Sequence, residues 1–283
     1  VVSGGNAICM KYCNVYNCRN ITTLSNSFYQ CTRLYTVTFP KTLNNVTSLS
    51  GAFGGAFSYC TSLHHIVFPR VMDNVTKMGS DGYPQQRACF ADCSSLVYVT
   101  MPQSMSKVTD MYAVFSRCPN LEYMYLPTYM PKVTSMGYMF TGCTKLRYVK
   151  MPMILNSLLS LSNTFYGCTS LEKVDMPITF NAVTNMANTF AYCSNIKSVV
   201  LPDTLNYLTT LTAAFDFCTS IERVKLPIKM NSLQYAGNNP YYVFRNCINL
   251  DSISFPDSLP NLISLQPFQG CSTLTYAHLP IYA

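Results

Sequence analysis

The residues of this chain best suited to nucleophilic catalysis or soft-metal binding are its 14 cysteines and three histidines. Ten cysteines form a series: Cys31, Cys60, Cys93, Cys118, Cys143, Cys168, Cys193, Cys218, Cys247 and Cys271. Each stands three residues after a Phe and nine before a Pro. If the copies stack in register, their cysteines lie ~4.8 Å apart and point the same way. A disulfide needs Cβ atoms about 3.8 Å apart on converging vectors, and a zinc site needs four ligands converging tetrahedrally. A linear column supplies neither, so these cysteines are expected to stay thiols and fill core space. Cys9, Cys13, Cys18 and Cys89 lie outside the series, and Cys13 and Cys18 are near enough in sequence to bridge. His64 follows Cys60 by four residues, but a catalytic dyad needs an exposed, activated thiol, and Cys60 holds a core position. No oxyanion donor or orienting acid accompanies the pair. No catalytic, cofactor-binding or metal-binding residue is therefore assigned.

The element that must position these cysteines is clearest in Phe140 to Pro152, where Phe140, Cys143, Leu146, Val149, Met151 and Pro152 form a skeleton repeated ten times. From Cys93 to Cys218 the repeat is 25 residues long five times running. A period in the 20s around Leu-x-x-Val-x-Leu marks a leucine-rich-repeat solenoid. Val149 and Met151 share one face of a short strand, and Pro152, lacking an N–H, ends it. Asn44, Asn156, Asn181, Asn206 and Asn231 follow Pro by four residues, a spacing that predicts an Asn ladder. Met136, Met139 and Phe140 have helical spacing and predict a short helix or 3₁₀ turn. The expected fold is thus an α/β repeat solenoid of about ten rungs. It has one parallel β-sheet, with short helical or irregular segments on the opposite face. Residues 1–30 read as an N-terminal cap and 31–283 as the solenoid, a single domain overall. Three rungs are longer, with insertions at Gly51 to Gly55, Gly79 to Gln86 and Ala236 to Pro240, all at the same point of the repeat. Insertions on one face of a repeat protein mark contact sites or tolerated loop growth.

The residues that the skeleton leaves unspecified carry the functional signal. On each strand the positions flanking the inward Val point outward, and three successive rungs place Tyr98, Tyr123 and Tyr148 there. Tyr125 and Lys150 lie alongside, followed by Lys173, Arg223 and Lys225, interleaved with Glu172, Asp175 and Glu222. Tyrosine offers a large contact area at low entropy cost and keeps a polar tip, which suits a binding face. Tyr and Thr are also good strand residues, and the charges can pair across rungs. The expected partner-binding residues are Tyr98, Tyr123, Tyr125, Tyr148, Lys150, Lys173, Arg223 and Lys225.

Composition narrows the classes. Charged residues make up only 11% against 49% hydrophobic, which argues against disorder. The net charge of +7 comes from scattered Lys and Arg without a basic run, so nucleic acid is not an expected partner. No stretch of about 18 apolar residues predicts a membrane-spanning helix. The chain begins at Val1 without a signal pattern, the mark of a processed product or of a part of something longer. The last rung stops just after its strand, so further sequence or a second chain is expected to cover it, with self-association there a possibility.

The segment Val133-Thr134-Ser135-Met136 running on to Met139-Phe140-Thr141-Gly142-Cys143-Thr144-Lys145-Leu146 resembles the BspA-like leucine-rich repeats, in particular their 25-residue Met-Phe-x-x-Cys-x-x-Leu variety. The likeness covers about residues 22–280. It implies a non-enzymatic, adhesin-like module, secreted or at the cell surface of a gut or mucosal microbe, binding a host or neighbouring-cell protein or glycan. The alternative is a structural subunit of a fibre, virion or surface assembly whose low-charge faces are buried by neighbours.

Overall fold

The computed structural model describes residues 10–18, 20–80, 88–238 and 240–282. Cys9 and the part of the second insertion from Asp81 to Gln86 lie outside them. The chain winds as a parallel solenoid of about ten turns. One wall carries three-residue strands: β1 (Tyr12–Asn14), β2 (Thr36–Thr38), β3 (His65–Val67), β4 (Tyr98–Thr100), β5 (Tyr123–Tyr125), β6 (Tyr148–Lys150), β7 (Lys173–Asp175), β8 (Ser198–Val200) and β9 (Arg223–Lys225). The two-residue strands β10 (Tyr235–Ala236) and β11 (Phe244–Arg245) belong to the back of the coil, as do β13 (Ser264–Leu265) and β14 (Phe268–Gln269). The wall continues with β12 (Ser252–Ser254) and β15 (Tyr276–His278). Within four groups, β1–β2, β3–β4, β5–β6–β7 and β8–β9–β12–β15, wall strands pair parallel and in register, as in Met124 to Val149 to Val174.

The expected helical segments are absent from the described residues; the back of each rung is a string of turns. The helical spacing of Met136, Met139 and Phe140 is real, but their amides are committed elsewhere. Met136, Tyr138, Phe140 and Gly142 donate sideways to Ser160, Ser162, Thr164 and Tyr166 of the next rung, at 2.8–3.1 Å. The intervening Met139, Thr141 and Cys143 close four-residue turns onto Met136, Tyr138 and Phe140. A helix would need those same N–H groups for bonds to the fourth residue back. Tyr138 at φ 57° and Gly142 at φ 74° reverse the helical hand twice within five residues. The second site is the one where glycine's freedom is used; a Cβ there would meet nothing nearer than 3.8 Å.

The repeated skeleton fills the interior. Ten phenylalanines from Phe28 to Phe268 stack face to face with centroids 5.1–6.0 Å apart. Beside them runs the sulfur column. Each thiol from Cys60 to Cys271 donates to the carbonyl of the Phe one rung back, at 2.7–3.1 Å. Except at Phe115 and Phe244, that carbonyl also accepts the amide of its own rung's cysteine, as Phe140 does from Cys143 along with the Cys168 thiol, so both lone pairs are used. The expected Asn ladder gives way to a threonine one. Thr47, Thr76, Thr109 and Thr134 pass hydroxyl bonds from rung to rung, each onto the preceding carbonyl. The side chains of Asn156, Asn181 and Asn206 make no such bond. Only Asn44 and Asn231 join, through their carbonyls, which accept from Asn74 and Asn261.

Candidate functional site: the strand face

A three-residue strand leaves little choice of direction. Its middle residue points into the core and its outer two point away, and β4, β5, β8 and β9 bury only the middle one. The register then decides which outward side chains meet. Tyr123, Tyr148 and Lys173 form one row, and Tyr125, Lys150 and Asp175 the parallel row. Further on, Arg223 lies beside Ser198 and Lys225 beside Val200. Tyr98 sits apart from the other tyrosines and stacks on His65 at 5.2 Å. All eight residues expected to bind a partner therefore share one face, with Tyr123, Tyr125, Tyr148, Lys150 and Lys173 adjacent.

The middle of the face is held by a cluster that pairwise sequence reading missed. The Tyr148 hydroxyl donates to Asp175, and Lys173 Nζ lies 2.9 Å from the other Asp175 oxygen. The same ammonium sits 5.9 Å from the centroid of the Tyr148 ring, which also meets the Tyr125 ring at 5.6 Å. The bond to Asp175 pushes the Tyr148 phenol up to about 12. The same bond, with Lys173, lowers the Asp175 carboxyl. A phenol so raised is a poor acid that keeps its proton near neutral pH, and a carboxylate accepting on both oxygens has its reach fixed. The cluster orients rings and charges and is not set up to transfer protons. Arg147 and Glu172 close the edge of this zone with bonds of 2.7 and 2.9 Å.

The earlier rungs carry a second, aromatic zone: Tyr12, Tyr35, His64, His65 and Tyr98. Tyr35 stacks on His64 at 5.2 Å and meets Tyr12 edge-on at 6.1 Å. His65 is held below the usual histidine value by burial and by His64. Neighbouring aromatic residues at equal offsets from Cys31 and Cys60 were the available sequence signal.

The cysteines behave as space-filling donors. Burial raises the Cys60 thiol, and Sγ gives its hydrogen to Phe28, while His64 is engaged with Tyr35. Burial holds Cys89, Cys93, Cys143 and Cys193 well above the ordinary thiol value. Cys271, half-buried on the last rung, is the exception, lowered to about 7 by hydrogen bonding with Cys247. Cys13 and Cys18 are both free thiols, against the bridge that their spacing allows.

Comparison with known proteins bears on the fold. The chain matches the BspA type leucine rich repeat region in six copies, over residues 8–88, 56–187, 111–239 and 238–282. Among solved structures it is similar to a leucine-rich repeat protein from Bacteroides ovatus, with 24% identity over 91% of this chain and 70% of that one, at a TM-score of 0.49. It is also similar to the T. pallidum leucine rich repeat protein, with 24% identity over 61% and 69%, TM-score 0.44. A leucine rich cell surface protein from Faecalibacterium prausnitzii aligns over 95% and 87% at 16% identity, TM-score 0.39. No curated protein matches the chain.

Proposed function

Since the chain belongs to the BspA-type leucine-rich repeat family, we propose that it is a non-enzymatic interaction module, adhesin-like and displayed at a cell surface or secreted. In this reading it holds a host or neighbouring-cell protein or glycan against its strand face. The observation that carries this is the Tyr123, Tyr125, Tyr148, Lys150 and Lys173 patch, fixed by Asp175 on a rigid wall. Exposed aromatic rings held in place lose little entropy on binding and desolvate well. Such a patch is more than folding requires, because the middle strand residues alone complete the core. The secreted or surface location follows from what the family resemblance implies. The test is binding to immobilised mucosal proteins and a glycan array with the Tyr123→Ser/Tyr148→Ser double variant. Loss of binding with an unchanged unfolding midpoint supports the reading; undiminished binding overturns it.

A further inference from the structure

The strand wall is interrupted between β2 and β3, between β4 and β5, and between β7 and β8, and the last of these junctions has lost the most backbone bonds. At every other junction of wall strands, the residue just before the strand donates its amide to its counterpart one rung back. Arg147 donates to Glu122 at 2.8 Å, Glu172 to Arg147 at 2.9 Å and Glu222 to Lys197 at 2.8 Å. Among the described residues, only the corresponding bond from Lys197 to Glu172 is missing. The bond from Met176 to Val200 is missing too, as are its counterparts from Phe39, Met101 and Leu226, whereas Met151 donates to Asp175 at 3.1 Å and Leu201 to Lys225 at 3.0 Å; β7 and β8 are the junction that lacks both bonds. Behind the wall the same two rungs stay joined. Phe165 stacks on Phe190 at 5.2 Å, Cys193 donates to Phe165 at 3.1 Å, and Ser160 pairs with Asn185. The coil is therefore closed at the back and parted at the front.

The parting exposes apolar surface. Val174 and Met176 are only half-buried, whereas Val149, Met151, Val199 and Leu201 at the same positions of adjacent rungs are buried. With Ile178, Val200 and the two prolines Pro177 and Pro202 they line a cleft of about 460 Å³. Its width limits what can enter. A strand laid between two others would hold them about 10 Å apart, yet β7 and β8 keep Cα atoms within 8 Å. The cleft has room for a side chain and not for a strand.

Charge at the rim selects further. Glu172 is taken by Arg147, and Asp175 by Tyr148 and Lys173. Among the described residues, Lys150, Lys197 and Arg223 have no ion-pair partner, against Glu222 alone of the nearby carboxylates. The Lys197 and Met176 amides, without a bond across the opening, add two donors. We propose that this cleft is an anchor slot that takes one aliphatic side chain of a protein partner, presented next to a carboxylate. It rests on the strand-face reading above and places the partner's central contact at β7 and β8.

The full chain, methyl-labelled at Met, Ile and Val, is titrated with N-acetyl-L-leucine and with its uncharged amide. The expected result is a saturable shift at Met176, Ile178 and Val200, with affinity on the order of millimolar for one aliphatic group. The acid binds about two- to fivefold tighter than the amide, the worth of an exposed charge pair. Ser198→Trp, which fills the slot from its exposed lining, abolishes the shift. No shift, a shift that does not saturate, or equal shifts at the exposed Ile228 and Ile263 would overturn the slot. Equal affinity for acid and amide would overturn the carboxylate. Saturable shifts in the Tyr123→Ser/Tyr148→Ser variant, if that variant still binds mucosal proteins and glycans, would leave the slot standing and remove the tyrosines.

Discussion

The interior column and the strand face are built from the same rungs yet follow opposite rules. Inside, Phe, Cys, Leu and Val recur at fixed offsets, because each must meet its own kind one rung away: ring on ring, thiol on carbonyl. Outside, the neighbours change from Tyr123 to Tyr148 to Lys173 within three rungs. Repetition marks what the solenoid needs to stand, and departure from repetition marks what is free to serve something else. Variants in the two regions should therefore differ in kind. Column variants lose stability, and face variants lose binding.

The largest effect is expected from Phe140→Ala. It empties a ring-sized place between Phe115 and Phe165 and should cost ~3–5 kcal/mol in denaturant unfolding. A cost below about 1 kcal/mol would dissolve the comparison, since surface changes cost no more than that. Cys143→Ala comes next, at ~1–2 kcal/mol, because the Phe115 carbonyl loses the thiol that donates to it and a small void remains. Thiol labelling sharpens the same point without a mutation. In native protein, Cys18 and Cys271 should alkylate while the buried series stays protected, and Cys271 labelling should reach half its rate near pH 7. Labelling throughout the column would show that it is not closed.

The smallest effect is expected on the face. Tyr148→Phe should change stability by less than ~0.5 kcal/mol, as exposed substitutions do, but raise the Asp175 titration seen by carboxyl NMR. The sign follows from the two shifts. With Asp175 lowered, the link contributes above about pH 4, where a free Asp is ionised, and is lost as pH falls through the lowered value. With Tyr148 raised, it contributes below about pH 10 and is lost as pH rises toward about 12. An unmoved Asp175 titration in the variant would mean that the two side chains are not joined.

The column and the wall were legible because a strict period leaves few ways to stack ten copies. Leu146, Val149 and Pro152 state the strand, its inward face and its end. The turns were not legible as such, because spacing of three and four serves a helix and a string of turns equally. What separates them is where the amides of Tyr138 and Gly142 donate, and that depends on the neighbouring rung. The tyrosine row could be placed from Tyr123 and Tyr148 alone, but its locking by Asp175 needs the register across two strands. The opening beside β7 left almost no trace, because its rung has the normal length and Val174 and Met176 fit the skeleton. One residue stands out, Phe180, buried where eight other rungs carry Leu or Met.

Binding by the face is tested most directly by setting two surfaces of one molecule against each other. The Tyr123→Ser/Tyr148→Ser variant and a back-face control, Tyr192→Ser/Tyr207→Ser, are compared with the unmodified chain on the same mucosal proteins and glycans. Tyr192 and Tyr207 are exposed and lie outside the wall strands. The expected result is loss of at least about tenfold in affinity for the strand-face variant, the effect of removing central aromatic anchors, with the control unchanged. Equal binding by all three proteins, or loss confined to the control, would contradict it.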